Sequence, residues 1–394
     1  MKILIKIIKF IKRKLLAFLE TVKYYILYIP AIIKYGRRDI YLISERGTDA
    51  RDNGFWFYKY LREKHSNLEV YYVIDKKSAD YSKVAAYGNI VHHKSLKHYL
   101  LFIAARYKIS THIMGFAPNT LFYTAFNLKR RIKGKLIFLQ HGIIKDNLIG
   151  LYQENTRLDL FICGAVPEYN YVKDNFHYQK DEVVFTGLAR YDELNEFNVK
   201  KQILVMPTWR VFLKNLSEPA LMETEYFQRW NSFLNNSSLI ELLKKYNIQL
   251  VFYPHYEMQP YIKLFRVNSP FVKIANFNDY DVQTLLKESI MLITDYSSVF
   301  FDFAYMQKNC IYYQFDYQQF MNNHYQKGYF DYETMGFGPV IKSEGLLIEY
   351  ILQKIKDDFE VNSTYKSRIE QFFSLRDGKN CERIFKEIEK LKCK

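Results

Sequence analysis

The sequence predicts an α/β protein of two doubly wound lobes facing a cleft, on three observations. Its 394 residues exceed one ordinary domain and fit two of about 150 to 200 residues each. Short runs rich in Val, Ile, Tyr and Phe alternate with helical patterns in two successive series, as buried parallel strands joined by crossover helices require. Polar clusters containing His, Arg and Ser fall where those runs end, and ligands of doubly wound sheets bind at the carboxyl ends of strands. Hydrophobic residues make up 49% of the chain and charged residues 25%, enough apolar surface for large cores and too little charge for a disordered chain.

The first segment stands apart from this pattern. Leu4, Ile8, Ile11, Leu15, Phe18 and Val22 recur every three or four residues while Lys2, Lys6, Lys9 and Arg13 share another face, which reads as a basic amphipathic helix. Residues 1–38 hold ten Lys and Arg against Glu20 alone, so they supply +9 of the formal charge of +15. No RNP-like motif, helix-turn-helix or finger spacing accompanies the charge, and no nucleic acid partner is expected. An anionic membrane surface is expected, because each Lys or Arg near such a leaflet contributes about 1 kcal/mol and the apolar face adds burial. The longest uncharged run, residues 24–33, is ten residues long and contains Pro30, against about 20 for a bilayer span. The helix should therefore lie on the membrane and not cross it; a helix covering the protein's own core is the competing reading. Glu20 and Lys23 interrupt the apolar region and no small-x-small cleavage site follows, which argues against a secretory signal. A second basic-aromatic stretch, residues 121–135, is either a further lipid contact or a solvated loop.

From Asp39 the period changes. Residues 40–44, 68–74, 108–112, 136–140, 160–163 and 183–186 read as strands and 54–64 and 95–105 as helices, giving a first Rossmann-like lobe over 39–198 without G-x-G-x-x-G. Residues 202–206, 249–253, 272–274, 291–294 and 311–315 give a second lobe over 199–360. Residues 361–394 form a helical tail, in which Ile384, Ile388 and Leu391 make a stripe that should pack back on the lobes. Cys163, Cys310, Cys381 and Cys393 are scattered without C-x-x-C pairs, so neither disulfides nor zinc are expected and a reducing, cytoplasmic compartment is.

The richest chemistry lies at residues 292–304, where an apolar strand runs through Asp295, Tyr296, Ser297 and Ser298 into an apolar helix. Unpaired N–H groups and about half a positive charge at a helix start suit an anion, and paired hydroxyls suit a phosphate or diphosphate. A plain N-cap is the bland alternative. Gln140-His141-Gly142, Pro207-Thr208-Trp209-Arg210 and Pro254-His255 occupy the other strand ends. Phosphoryl transfer needs donors around the phosphates and a base for the attacking hydroxyl, roles that imidazoles, hydroxyls and the planar fork of Arg210 can fill. His92, His93, His112, His177 and His324 read as structural. Asp279-Tyr280-Asp281 has D-x-D spacing but directly precedes a helical pattern, so Asp281 reads as an N-cap; no metal site and no cofactor are expected.

These motifs, together with Glu45-Arg46-Gly47, Asp52-Asn53-Gly54, residues 329–333 and Asp377-Gly378, resemble the CDP-glycerol glycerophosphotransferase family, the teichoic acid primases and polymerases, over most of residues 39–390. The resemblance implies a GT-B-like fold and a peripheral enzyme on the cytoplasmic face of a bacterial membrane. It implies transfer of a polyol phosphate, glycerol phosphate first among them, from a CDP-polyol donor to a lipid-linked polyol-phosphate or glycan acceptor. It makes His141 the candidate base and His255 a phosphate ligand or leaving-group partner. Thr208, Arg210, Asp295, Tyr296, Ser297 and Ser298 would bind the donor, with Gln140 and Gly142 in support. A glycosyltransferase of the same architecture, using a CMP-activated or other nucleotide-activated sugar, is the alternative, and a non-catalytic membrane scaffold a second.

Overall fold

The computed structural model describes residues 2–120, 132–277, 279–323 and 326–393, which leaves His324 and residues 121–131 of the second basic-aromatic stretch outside the described residues. The first sheet is built from β1 (Ile40–Ser44), β2 (Glu69–Ile74), β3 (Ile90–His92), β4 (Tyr107–Ser110), β5 (Lys135–Phe138), β6 (Leu160–Cys163) and β7 (Val183–Phe185), in the order β3-β2-β1-β4-β5-β6-β7. The second contains β8 (Gln202–Met206), β9 (Gln249–Phe252), β10 (Val272–Ile274), β11 (Met291–Thr294), β12 (Asn309–Tyr313) and β13 (Val340–Ile341), in the order β10-β9-β8-β11-β12-β13. Every strand pair recorded is parallel. Strand order reverses beside β1 in the first sheet and β8 in the second, the switch points where open α/β sheets take ligands. Two strands, β3 and β13, were not expected; they are edge strands of three and two residues, too short to establish a period.

The two-residue period of β1 divides the first lobe's core. Ile40 and Leu42 enter one apolar cluster, which also receives the N-terminal helix, while Tyr41 and Ile43 enter another formed with the helix Asn53–Lys64. The C-terminal helix Asn380–Lys390 closes this second cluster with Cys381, Ile384 and Ile388. Its start is pinned by Asp192, whose carboxylate accepts the N–H groups of Asn380 and Cys381 at 2.8 Å each, and Tyr41 donates its hydroxyl to Glu389 near the far end. The chain thus leaves the second sheet and packs back on the first lobe, a choice of lobe that the Ile384 and Ile388 stripe left open.

The N-terminal helix Lys2–Tyr35 buries one face and exposes an apolar one. Small and aromatic residues, Ala17, Tyr24, Ala31 and Tyr35, are buried against the first lobe, where the Tyr99 hydroxyl donates to Glu20 at 2.9 Å and Lys23 lies 3.6 Å over the Tyr99 ring. The predicted apolar stripe points elsewhere: Ile8, Ile11, Leu15, Phe18 and Val22 are exposed, and Ile26, Ile29 and Ile33 prolong that face. Within Phe10–Tyr35 an 18-residue window reaches a mean hydropathy of 1.5, so this part of the helix is long and apolar enough to cross a membrane by length and composition alone.

If the tail helix holds the first lobe together, Ile384→Ala should lower unfolding stability by about 2 to 5 kcal/mol, the cost of a cavity at a fully buried site. Urea titration followed by tryptophan fluorescence measures it, and an unchanged midpoint would mean that the helix contributes no packing.

Candidate active site

The first lobe's loop after β5 meets the second lobe's loop after β11, where Gly142 approaches Ser298, and Arg51 of the loop after β1 packs on Phe277 of the loop after β10 at 4.9 Å. Two buried glutamates fix the first lobe's loops through backbone N–H groups. Glu45, just past β1, accepts from Arg51 and Asp52 at 2.9 Å each and from Phe55 at 3.0 Å. Burial, joined by the Asp52 and Asp49 charges, pushes its pKa up to about 8. Glu168 ties the loop after β5 to the end of β6, accepting from Ile144 at 2.6 Å and Gly164 at 2.7 Å; burial pushes its pKa up to about 7.

Gln140 sits in the left-handed region at φ 59°, and side-chain bonds hold it there. Its amide donates to the Ile162 carbonyl, and its own carbonyl accepts from Asn53 Nδ2 at 2.8 Å. The next residues meet the second lobe. A Cβ added to Gly142 would stand 3.4 Å from Ser298 Oγ, an ordinary contact distance, so the His141 loop lies against the Ser297-Ser298 turn. Beside it, Arg190 spans the seam. Nε and Nη2 grip both oxygens of Asp302 at 2.9 and 2.7 Å, and Nη1 donates to Asp52 at 2.6 Å and to the His141 carbonyl at 2.8 Å. Asp302 lies one turn along the helix Val299–Tyr305 that begins at the serine pair. Burial alone would lower the Arg190 pKa, but Asp302 and Asp52 raise it above its ordinary value.

Across the seam, Ser297 Oγ accepts the Val299 N–H at 3.4 Å, and Ser297 and Ser298 both remain partly accessible. The other residues assigned to the donor are more deeply placed. Arg210 is 1% exposed, with Nε and Nη2 on Asp316 at 2.7 and 3.0 Å, Nη2 also 2.9 Å from Asp295, and Nη1 on the Thr208 carbonyl. The expected fork for phosphate is therefore occupied by carboxylates, and Arg210 holds up the turn from beneath. Asp295, fully buried, accepts the N–H groups of Thr208 and Tyr296 at 2.7 and 2.6 Å. Tyr296 is buried too, stacked on Phe320 with ring centroids 3.8 Å apart and donating to Asp316 at 3.0 Å. Thr208 Oγ1 is buried without a hydrogen-bond partner among the described residues.

Three histidines gather here. The His141 imidazole opens on the cleft, yet surrounding protein desolvates it and lowers its pKa; Asp52 and Asp302 oppose that shift while Arg190 and Arg46 reinforce it. His112, read from sequence as structural, packs edge-on to His141 with ring centroids 5.2 Å apart and accepts from Arg46 Nε at 3.0 Å. His255 stacks on Trp209 at 6.0 Å, and its Nδ1 accepts the Glu257 N–H at 3.2 Å, which leaves the ring proton on Nε2. Burial lowers its pKa to about 4, so it is a neutral donor at physiological pH. His177 pairs with Glu154 at the surface and His93 packs against Gly47. Asp281 caps the helix Val282–Glu288 as expected, accepting the Thr284 N–H at 3.0 Å. Among the described residues no group of three or more His, Cys, Asp or Glu is arranged to hold a metal ion. Reasoning from sequence left Arg46, Asp52, His112, Arg190 and Asp302 without site roles. Arg46 and Asp52 sat inside motifs already singled out, whereas nothing local marks Arg190, whose partners are 138 and 112 positions away.

Two doubly wound lobes that set an imidazole against a strand-turn-helix loop with paired serines form the cleft of a GT-B-type protein. The family model for CDP-glycerol:poly(glycerophosphate) glycerophosphotransferase matches residues 29–390, and the chain belongs to that family. Among curated relatives, the minor teichoic acid biosynthesis protein GgaB of Bacillus subtilis is 33% identical over 368 residues, which are 91% of this chain but 40% of the relative. The teichoic acid glycerol-phosphate transferase of Staphylococcus aureus is 24% identical over 379 residues, 89% of this chain and 92% of the relative. The solved structure of the wall teichoic acid polymerase TagF superposes with a TM-score of 0.68 at 16% identity, covering 97% of this chain and 98% of that one, and shares its GT-B-type fold.

Removing Arg190 would leave Asp302 and Asp52 buried without their cation. Arg190→Ala should cost about 3 to 5 kcal/mol of stability, and Arg190→Ala combined with Asp302→Ala should cost less than the sum of the two. A double-mutant cycle in urea measures the coupling; additive losses would mean that the lobes are joined elsewhere.

Proposed function

We propose that this chain transfers a polyol phosphate, glycerol phosphate first among candidates, from a CDP-activated donor to a lipid-linked or polymer acceptor, releasing CMP, in the synthesis of a teichoic-acid-like or capsular surface polymer. The observation that carries the reading is the seam where Gly142 meets Ser298, which sets the His141 loop of one lobe against the Ser297-Ser298 turn of the other. Names of the relatives point the same way, and a variant of TagF has been solved after soaking with CDPG.

The chemistry follows from the groups present. An acceptor hydroxyl attacks the phosphorus of the polyol phosphate, His141 takes the hydroxyl proton, the bond to the bridging oxygen breaks, and CMP departs with that electron pair. A lowered pKa keeps the His141 imidazole neutral and able to accept. His255 Nε2–H and the accessible serine hydroxyls can donate to phosphate oxygens as charge shifts toward CMP. Arg210 and Asp295 act one layer below, fixing the turn.

Membrane attachment belongs to the same proposal. Docking from Ala17 to Tyr35 lays the N-terminal helix along the first lobe, so its exposed apolar face would enter a leaflet side-on, with its basic residues against anionic headgroups. Crossing the bilayer would require that docked half to detach.

CMP release measured against CDP-glycerol, CDP-ribitol and CMP-sialic acid tests the reaction. A CDP-polyol should support turnover, and His141→Ala should lower it about a hundredfold or more. Turnover with CMP-sialic acid alone would make the chain a glycosyltransferase, and none with any donor would leave a scaffold. In the active chain the acid limb of kcat/KM should lie below pH 6.5. Asp52→Asn should move it lower still, because removing a nearby negative charge disfavours the protonated imidazole. For the membrane, Leu15→Glu with Ile26→Glu, at positions 57% and 67% exposed, should abolish flotation with anionic vesicles while leaving the fold intact. Flotation equal to that of the unmodified chain would dismiss this face as the anchor.

A further inference from the structure

Arg46, Arg190 and Arg210 lie in or under the cleft, and they differ in what neutralises them. The N–H groups of Arg190 and Arg210 are spent on buried carboxylates and on the carbonyls of His141 and Thr208. The Arg46 side chain is 55% exposed, and the carboxylate closest to it, Asp49, stands 3.9 Å away. Its Nε–H donates to His112 Nε2 at 3.0 Å, an acceptor that carries no charge. Such a partner aims the guanidinium without cancelling it, and leaves both Nη groups for another ligand.

The surroundings keep that arrangement fixed. Because Nε2 accepts, the His112 ring proton lies on Nδ1 and donates to Thr111 Oγ1 at 2.9 Å. Burial first, then His141 and Arg46, lowers the His112 pKa to about 3, so the ring remains an acceptor throughout the neutral range. The loop carrying Arg46 is anchored by Glu45 on three backbone N–H groups and turns at Gly47, whose φ of +81° and closeness to the His93 ring leave no room for a side chain. His112, which Arg46 grips at 3.0 Å, packs on the candidate base His141 with ring centroids 5.2 Å apart, and the Arg46 charge helps lower the pKa of both His141 and His255.

We propose that Arg46 is the cation that grips the charged phosphates of a nucleoside diphosphate in this cleft, and that His112 is the residue that positions it. The inference rests on the reading above for the class of donor, and on the geometry of the cleft for the residues. Arg46 takes the place in phosphate binding for which Arg210 is too deeply engaged. His112 acts through Arg46 and touches no substrate.

Calorimetric titration of the full chain with CDP, and separately with inorganic pyrophosphate, tests this without requiring turnover. Arg46→Ala should weaken both about tenfold to a hundredfold, the scale of a lost charge-assisted pair, and Arg46→Lys should recover part by restoring charge without the fork. His112→Ala should weaken binding less, and adding it to Arg46→Ala should cost nothing more. His112→Asn, whose amide oxygen can accept from Nε, should restore binding, a rescue that a purely packing role would not produce. Unaltered affinity in Arg46→Ala, or an unmodified chain that binds neither ligand, overturns the assignment of Arg46; additive losses overturn that of His112. A chain that binds CDP through Arg46 yet releases CMP from no CDP-polyol would leave this assignment standing and remove the polyol-phosphate reading.

Discussion

The Arg190 guanidinium is the interaction on which the site depends. It holds Asp302 of the second lobe with two hydrogen bonds while it holds Asp52 and the His141 carbonyl of the first, so one side chain sets the distance between base loop and serine turn. Such a group is costly to bury and costly to leave unpaired, which makes the join specific: an approach that separates either carboxylate from it strands a charge in low dielectric. Neighbouring contacts work in the same direction without charge. Tyr191 stacks on Tyr305 at 4.2 Å, and Asn147 bridges to Gln326 through backbone and side chain at 2.9 and 3.0 Å.

A division of labour among the charged groups follows from depth. Glu45, Glu168, Asp295 and Arg210 are buried, and each satisfies backbone groups or an opposite charge at the root of a loop. The groups free to meet a ligand, His141, Arg46 and the two serines, stand at loop crests above them. This is the structure a phosphate site needs, because donors aimed in advance at a developing charge need no rearrangement at the moment of reaction. Each crest residue borrows its orientation from a buried one: Arg46 from Glu45 through the loop and from His112 directly, His141 from Arg190, and the serine turn from Asp295 and Arg210.

The same sorting by depth governs the N-terminal helix. Alanines and tyrosines at seven-residue and four-residue intervals form a narrow docking seam, and bulkier aliphatics are turned away from the protein. A face of Ile, Leu, Phe and Val exposed among the described residues suits a partner other than water, as proposed above. The basic residues of this segment favour an anionic leaflet as that partner, which would hold the cleft beside acceptors anchored in lipid.

The sequence by itself determined the two series of buried parallel strands, because a strand covered on both faces must be apolar throughout and its ends must then be polar. It placed His141, His255 and the serine pair just past the carboxyl ends of strands, where doubly wound sheets take their ligands. It also determined the capping role of Asp281, which depends only on the next three residues. What tertiary structure alone decided is the depth of each charge. Whether an arginine after a strand reaches ligand or core depends on which carboxylates the rest of the chain brings to it. Asp316 reaches Arg210 from 106 positions away, while among the described residues the only carboxylate within 4 Å of Arg46 is Asp49 at 3.9 Å. Arg190 was illegible for the same reason, for its meaning lies in two carboxylates that sit on different lobes and become neighbours only when the lobes close on one another.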